Sequence, residues 1–310
     1  MRKTRKTPLI PNISFLFSVI IFLSCTSLSP VDGSIESRAP SPQTVQVRWQ
    51  PFGAAAGEDT SGGVDYFAGK IARPRLEFHA LRIDLSDPNI LITASGRHGE
   101  TFLSTKVSTF VRENGLLAGI NALPFDPVSA TEGEPRTNVG IIISEGTMIS
   151  APHRNFDALV FYADGAAAII SQAEIHSAEN ITTAVGGFRR ILRNNEPDVR
   201  TVALKARHPR SAAGISADGK YLYLLVIDGR RYGSIGSTEA ETALVLRSLG
   251  AGEGINFDGG GSSTLALRYP DGKIRTVNTP DHGGIPGRER AVAGCLGVGI
   301  RNKDKKWSTD

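Results

Sequence analysis

Cysteine is almost missing from this chain: its 310 residues include 2, Cys25 and Cys295. That excludes a small fold stapled by disulfides, and a chain of this length can bury a sufficient core without them. Long apolar runs are scarce as well. The one extended run, residues 13–23, is too short to cross a bilayer comfortably. Net charge is +4, and Arg2, Lys3, Arg5 and Lys6 supply all of it. The remaining chain is near neutral, which gives no reason to expect a nucleic-acid partner. The 6 histidines are scattered without ligand-like spacing, so no metal site is expected. There is no internal repeat and no regular strand–helix–strand alternation, which argues against solenoids and doubly wound sheets.

What is present begins with a leader. A basic start is followed by the apolar run and then by Ser24-Cys25, which together read as a secretory signal. The placement of Cys25 resembles a bacterial lipoprotein signal, with the cysteine as the lipidated first residue, although Phe22 stands where such signals usually carry Leu. The expected organisation is a signal over 1–24 and a Ser/Pro-rich tether over 25–43. One catalytic domain follows over 44–303, then a polar tail over 304–310. The expected location is outside the cytoplasm, anchored to a membrane through lipid. Cys295, in a Gly-rich apolar stretch, reads as a small core residue.

Within the domain the pattern predicts many short strands and few helices: an α+β fold with a mixed, largely antiparallel sheet. Strands are expected at 44–49, 79–85, 89–94 and 116–120. A further series is expected at 202–206, 212–216 and 221–227, the last two joined by an Asp218-Gly219 hairpin. One helix is expected from Thr105 to Asn114 with Ser104 as its N-cap. A second runs from Glu239 to Leu249, with Thr238 and Glu241 forming a capping box and Gly250 ending it.

The most informative segment is Asn256-Phe-Asp-Gly-Gly-Gly-Ser-Ser-Thr264. Three consecutive glycines are entropically costly and suit a backbone that must approach a ligand closely. No Lys follows them, as a P-loop requires. No helix follows, as a dinucleotide fingerprint requires. No Gly-x-Ser-x-Gly elbow is formed, and no acidic ladder of an EF-hand is present. The residues suit a nest of N–H groups for a phosphate oxygen, with Asp258 at its lip for proton transfer or sugar hydroxyls. A tight turn in which Asp258 and the serines bond their own backbone fits the same residues.

This segment resembles the signature of the phosphodiester glycosidase family. Weaker matches follow in the family's order. They are Gly119-Ile-Asn-Ala-Leu-Pro-Phe-Asp126, His208-Pro-Arg-Ser-Ala-Ala-Gly214, Leu225-Val-Ile-Asp-Gly229, Gly236-Ser-Thr-Glu-Ala-Glu241 and Glu289-Arg-Ala-Val292. The likeness runs over roughly residues 75–301, with Pro124, Ser211 and Ala291 departing from the family's pattern. It implies a hydrolase of a sugar 1-phosphodiester; no cofactor is expected, and no obligate protein partner is evident in the sequence. It also implies site roles. Arg210 would bind phosphate, and Asp258 first and Glu241 second would be the catalytic carboxylates. Asn121, Asp228, Gly259, Gly260, Gly261, Ser262, Ser263 and Arg290 would hold substrate. Glu241 equally fits a helix cap, Asp228 a turn and Asn121 a buried structural amide. A non-catalytic glycan-binding lipoprotein and a metal-dependent phosphodiesterase are the rival functions.

Overall fold

A computed structural model describes residues 45–52, 63–96 and 101–301. The leader, Cys25, the tether and the polar tail lie outside these residues. An eight-stranded sheet forms the centre. Its spatial order is Gln50–Pro51, Val64–Ile71, Leu76–Asp84, Tyr221–Ile227, Arg210–Ser216, Ala251–Asn256, Arg189–Arg193 and Glu196–Pro197. Two five-stranded sheets pack on it, and a three-stranded and a two-stranded sheet complete the described strands. Every pairing between the described strands of the central sheet is antiparallel, so that sheet is not mixed, and the described residues hold three α-helices. The fold is more β than α.

The central strand Tyr221–Ile227 shows why the sequence folds this way. It is apolar at every position, because both faces are buried. Leu222, Leu224 and Val226 join the core beneath the five-stranded sheets. Tyr223, Leu225 and Ile227 point the other way, toward helix α3, Glu239–Leu249. Alternation along the strand thus feeds two cores. The first helix, α1, Val107–Glu113, covers the outer face of a five-stranded sheet through Val107, Phe110 and Val111.

Helix α3 and its ends match the sequence reading: Thr238 accepts from the Glu241 N–H, Glu241 reaches back to the Thr238 N–H, and Gly250 closes the helix in the left-handed conformation. Three expectations fail. Ser104 does not cap α1. Its first N–H groups are met by carboxylates from distant segments, Lys106 N–H by Glu132 at 2.7 Å and Ser108 N–H by Glu289 at 3.2 Å. Residues 202–206 are not a strand, because Asp198 caps a one-turn helix, α2, Val199–Val202, and an irregular segment follows. Residues 45–49 are irregular too, with pairing limited to Gln50–Pro51. Cys295 is a fully buried core residue, its thiol pushed up to about 12 by burial.

Candidate active site

Strand Ala251–Asn256 delivers the glycine segment at one end of the central sheet. Phe257 N–H bonds Ser211 O at 2.9 Å and Asp258 N–H bonds Ala122 O at 2.7 Å. Asn121 braces this point from behind. Its Nδ2 donates to Asp258 O at 2.7 Å, and its Oδ1 accepts from Ser211 Oγ at 2.6 Å and Thr264 N–H at 3.1 Å. The Asn121 amide is buried and engaged with the chain, so it positions Asp258.

Residues Gly260–Ser262 form a single 3₁₀ turn. The expected nest of glycine N–H groups is not what this turn builds. Gly260 N–H is spent on Pro209 O at 2.9 Å. What the glycines admit is arginine. A Cβ on Gly259 would lie 3.8 Å from Arg210 Cδ, one on Gly260 3.0 Å from Arg230 Nη2, and one on Gly261 2.6 Å from Arg290 Nη2. Two guanidinium groups, those of Arg230 and Arg290, thus reach Gly260 and Gly261 beside Asp258, while the Arg210 stem lies against Gly259.

Each arginine arrives by a different route. Arg210 opens strand Arg210–Ser216 and is buried. Its Nε donates to Ser237 O at 3.2 Å, its Nη2 to Ala206 O at 3.2 Å, and Glu239 stands 3.7 Å from Nη1. Arg230 follows the Asp228-Gly229 turn with φ of 59°, a left-handed conformation unusual outside glycine and a mark of functional loops. Arg290 comes from the segment before the last strand. It donates from Nη1 to Ser262 Oγ at 3.1 Å and from Nε to His282 Nδ1 at 3.0 Å, so that histidine nitrogen carries no proton. Segment His208–Pro209 is threaded between glycines. A Cβ on Gly229 would lie 2.6 Å from Pro209 N, on Gly236 2.6 Å from His208 carbonyl carbon, and on Gly259 2.8 Å from Pro209 O.

The electrostatics follow from this crowding. Burial raises the Asp258 carboxyl above its ordinary range, while the Ser262 hydroxyl, Arg290 and the Gly259 N–H pull it down in part. Burial lowers the Arg290 guanidinium, opposed by Asp258 and aided by Arg230. His282 and His208 are both lowered by burial first and by neighbouring arginines second, which favours neutral imidazoles.

The other candidates are placed differently. Both Glu241 oxygens meet Arg207, and Oε2 also caps α3. Asp228 is buried and tied to Arg231, with its Oδ1 accepting from Thr279 N–H at 2.9 Å and Asn278 Nδ2 at 3.3 Å. Asn278 in turn bonds Ser263 O and Leu265 N–H, fastening the far end of the glycine segment. Ser263 Oγ is buried without a hydrogen-bond partner. Sequence reasoning missed Arg230, Arg189 and Glu239. Glu239 is buried between Arg210 and Arg189, with Arg189 Nε 3.4 Å from Oε2. Its place at the start of α3 gave no local sign of that role. Among the described residues no cluster of His, Cys, Asp or Glu is placed to hold a metal ion.

A family model described as phosphodiester glycosidase matches residues 114–299, a span that contains every residue of this site. The chain belongs to the phosphodiester glycosidase family. Among solved structures it is similar to the catalytic domain of zebrafish N-acetylglucosamine-1-phosphodiester alpha-N-acetylglucosaminidase, auto-inhibited by its pro-peptide. That match has a TM-score of 0.60 and 20% identity over 82% of this chain and 88% of the other. A hypothetical protein from Synechocystis matches with a TM-score of 0.55 and 15% identity, over 77% of this chain and 62% of its own. At these identities the likeness is one of fold. Among curated proteins the SPbeta prophage-derived uncharacterized protein YomE of Bacillus subtilis (strain 168) is 25% identical over 266 residues, 80% of this chain. This chain spans 38% of that relative's length.

Proposed function

We propose that this protein is an extracytoplasmic hydrolase that cleaves a sugar 1-phosphodiester between the anomeric carbon and the phosphate oxygen. The observation that carries the reading is the placement of the Arg230 and Arg290 guanidinium groups against Gly260 and Gly261 next to Asp258, with Arg210 beside Gly259. Guanidinium groups suit the phosphodiester, and they suit still better the phosphomonoester that leaves with extra charge. Water adds to the anomeric carbon and gives its proton to Asp258, and the phosphate departs with the bonding electrons. A carboxyl raised toward the working pH is a better proton acceptor than an ordinary one, and Arg290 favours its ionised form against the push of burial. Phosphate is a good leaving group, so no strong general acid is required. Glu239 holds Arg189 and Arg210 in place.

The leader and Cys25 support a lipid-anchored protein facing an envelope or extracellular glycan. Replacing Cys25 with Ser releases such a protein from membranes and abolishes acyl labelling; unaltered membrane association overturns this placement.

The enzymatic reading is tested by incubating the protein with a sugar 1-phosphodiester in ¹⁸O-labelled water. Label in the released sugar, with turnover lost in Asp258→Asn, supports it. Label in phosphate indicates cleavage of the P–O bond. Binding without turnover indicates a glycan-binding protein on the same scaffold.

A further inference from the structure

Strand Arg189–Arg193 carries two consecutive arginines that face opposite ways. Arg189 joins the candidate active site. Arg190 points into a separate half-open cavity of about 450 Å³ that also receives Arg154, Arg193 and Arg200. Four guanidinium groups around one cavity are unusual, and their partners are incomplete. Arg200 is forked onto Asp198 at 2.9 and 2.8 Å. Arg190 only approaches Glu253, at 3.4 Å, and its Nε is buried with no hydrogen-bond partner. Arg154 and Arg193 make no ion pair among the described residues. The exposed side chains of Arg154 and Arg193 are the ones that an acidic ligand in the cavity can reach.

The rest of the lining narrows the ligand. Asp157 and Glu174 share the cavity, and Asp157 is held by the Arg190 N–H at 2.6 Å. Carboxylates repel a bare anion but accept hydroxyl groups. Phe156 also lines the cavity and is fixed by its neighbours, stacked on His153 at 4.1 Å and edge-on to Phe188 at 5.3 Å. A fixed aromatic ring beside paired acids and arginines offers a face for a sugar ring, acceptors for its hydroxyls and donors for an acidic substituent.

We infer that this cavity is a second carbohydrate site, distinct from the candidate active site, that takes a sugar unit bearing a phosphate or carboxylate. It lies on the opposite face of the strand that supplies Arg189, so a glycan held there need not be the unit undergoing hydrolysis. No turnover is needed to see it, and its fate is therefore separate from that of the proposed chemistry.

The test uses calorimetry on the full chain with glucuronate, and on its Asp258→Asn variant with glucose 1-phosphate. Glucose and inorganic phosphate serve as controls. At least one acidic sugar is expected to bind, and whichever binds tells carboxylate from phosphate as the preferred substituent. Glucose should bind at least about tenfold more weakly, and inorganic phosphate likewise. The double variant Arg154→Gln, Arg193→Gln removes exposed side chains and leaves folding intact. It should weaken the acidic sugar about tenfold or more, and do so equally in an Arg290→Gln background where the candidate active site is already impaired. Equal binding of inorganic phosphate, loss in Arg290→Gln with retention in the double variant, or no binding of either acidic sugar below roughly 10 mM would overturn the inference.

Discussion

The guanidinium of Arg290 occupies the space that a side chain at Gly261 would fill, with Nη2 2.6 Å and Cζ 3.0 Å from the position of a Cβ there. The backbone of Gly261 is not left-handed, so alanine there creates crowding without backbone strain. Gly261→Ala should therefore push Arg290 off Ser262 and lower kcat/KM about 10²-fold, comparable to losing one preorganised donor. Kinetics with a sugar 1-phosphodiester, together with an unchanged circular dichroism spectrum, check this. Near-normal activity would show that Arg290 can move at no cost.

Arg290 also bears on pH. It stabilises the ionised form of Asp258, against the upward push of burial. Activity that needs ionised Asp258 rises with pH through the carboxyl's pKa. Removing the cation in Arg290→Gln raises that pKa further, so the acid limb of kcat/KM should move to higher pH. An acid limb that stays in place would detach Asp258 from the rate.

Asp258 should cost the fold stability. Its carboxyl is raised above the unfolded value, so the folded chain holds more protons between the two values, and stability falls as pH rises through that window. Asp258→Asn should abolish turnover yet raise Tm at neutral pH, with the gain vanishing below the ordinary carboxylate range. Calorimetric scans across pH decide it, and a lower Tm at neutral pH would contradict the argument.

The two glutamates of α3 should separate cleanly. Glu241 is spent on Arg207 and the helix cap, so Glu241→Ala should cost about 1 kcal/mol of stability and leave kcat within a few fold. Glu239→Gln should act the other way, lowering kcat/KM about tenfold or more through Arg189 and Arg210 with a smaller loss of stability. Urea titration and steady-state kinetics on both variants distinguish the roles. A large kcat loss in Glu241→Ala would restore it as a catalytic carboxylate.

How far the sequence could be read depended on whether the cause was local. Helix α3 was legible to the residue because Thr238, Glu241 and Gly250 carry its start and stop within its own span. The hairpin at Asp218-Gly219 and the strand Tyr221–Ile227 were legible for the same reason. Helix α1 was displaced because its caps, Glu132 and Glu289, come from far along the chain. Residues 202–206 alternate like a strand, but no neighbouring strand pairs with them. In the site, Asp258 and the glycines announced themselves by composition. Arg230 and Arg189 did not, because an isolated arginine shows nothing until a backbone turn or a strand end aims it. The sequence reading gives anion binding to Arg210 and the glycine N–H groups, whereas Gly260 N–H is consumed by Pro209.

The passage of His208–Pro209 between Gly229, Gly236 and Gly259 bears on how such a protein can change over generations. Any of the three gaining a methyl group collides with main chain, so no one of them can drift alone. Variation in substrate must then accumulate at a rim of exposed side chains, for which Tyr232 and Ile285, exposed and close along the chain to Arg230 and Arg290, are candidates. The floor would be inherited nearly unaltered while the rim diversifies, so divergent copies of this chain would share one cleavage chemistry and differ in what they accept.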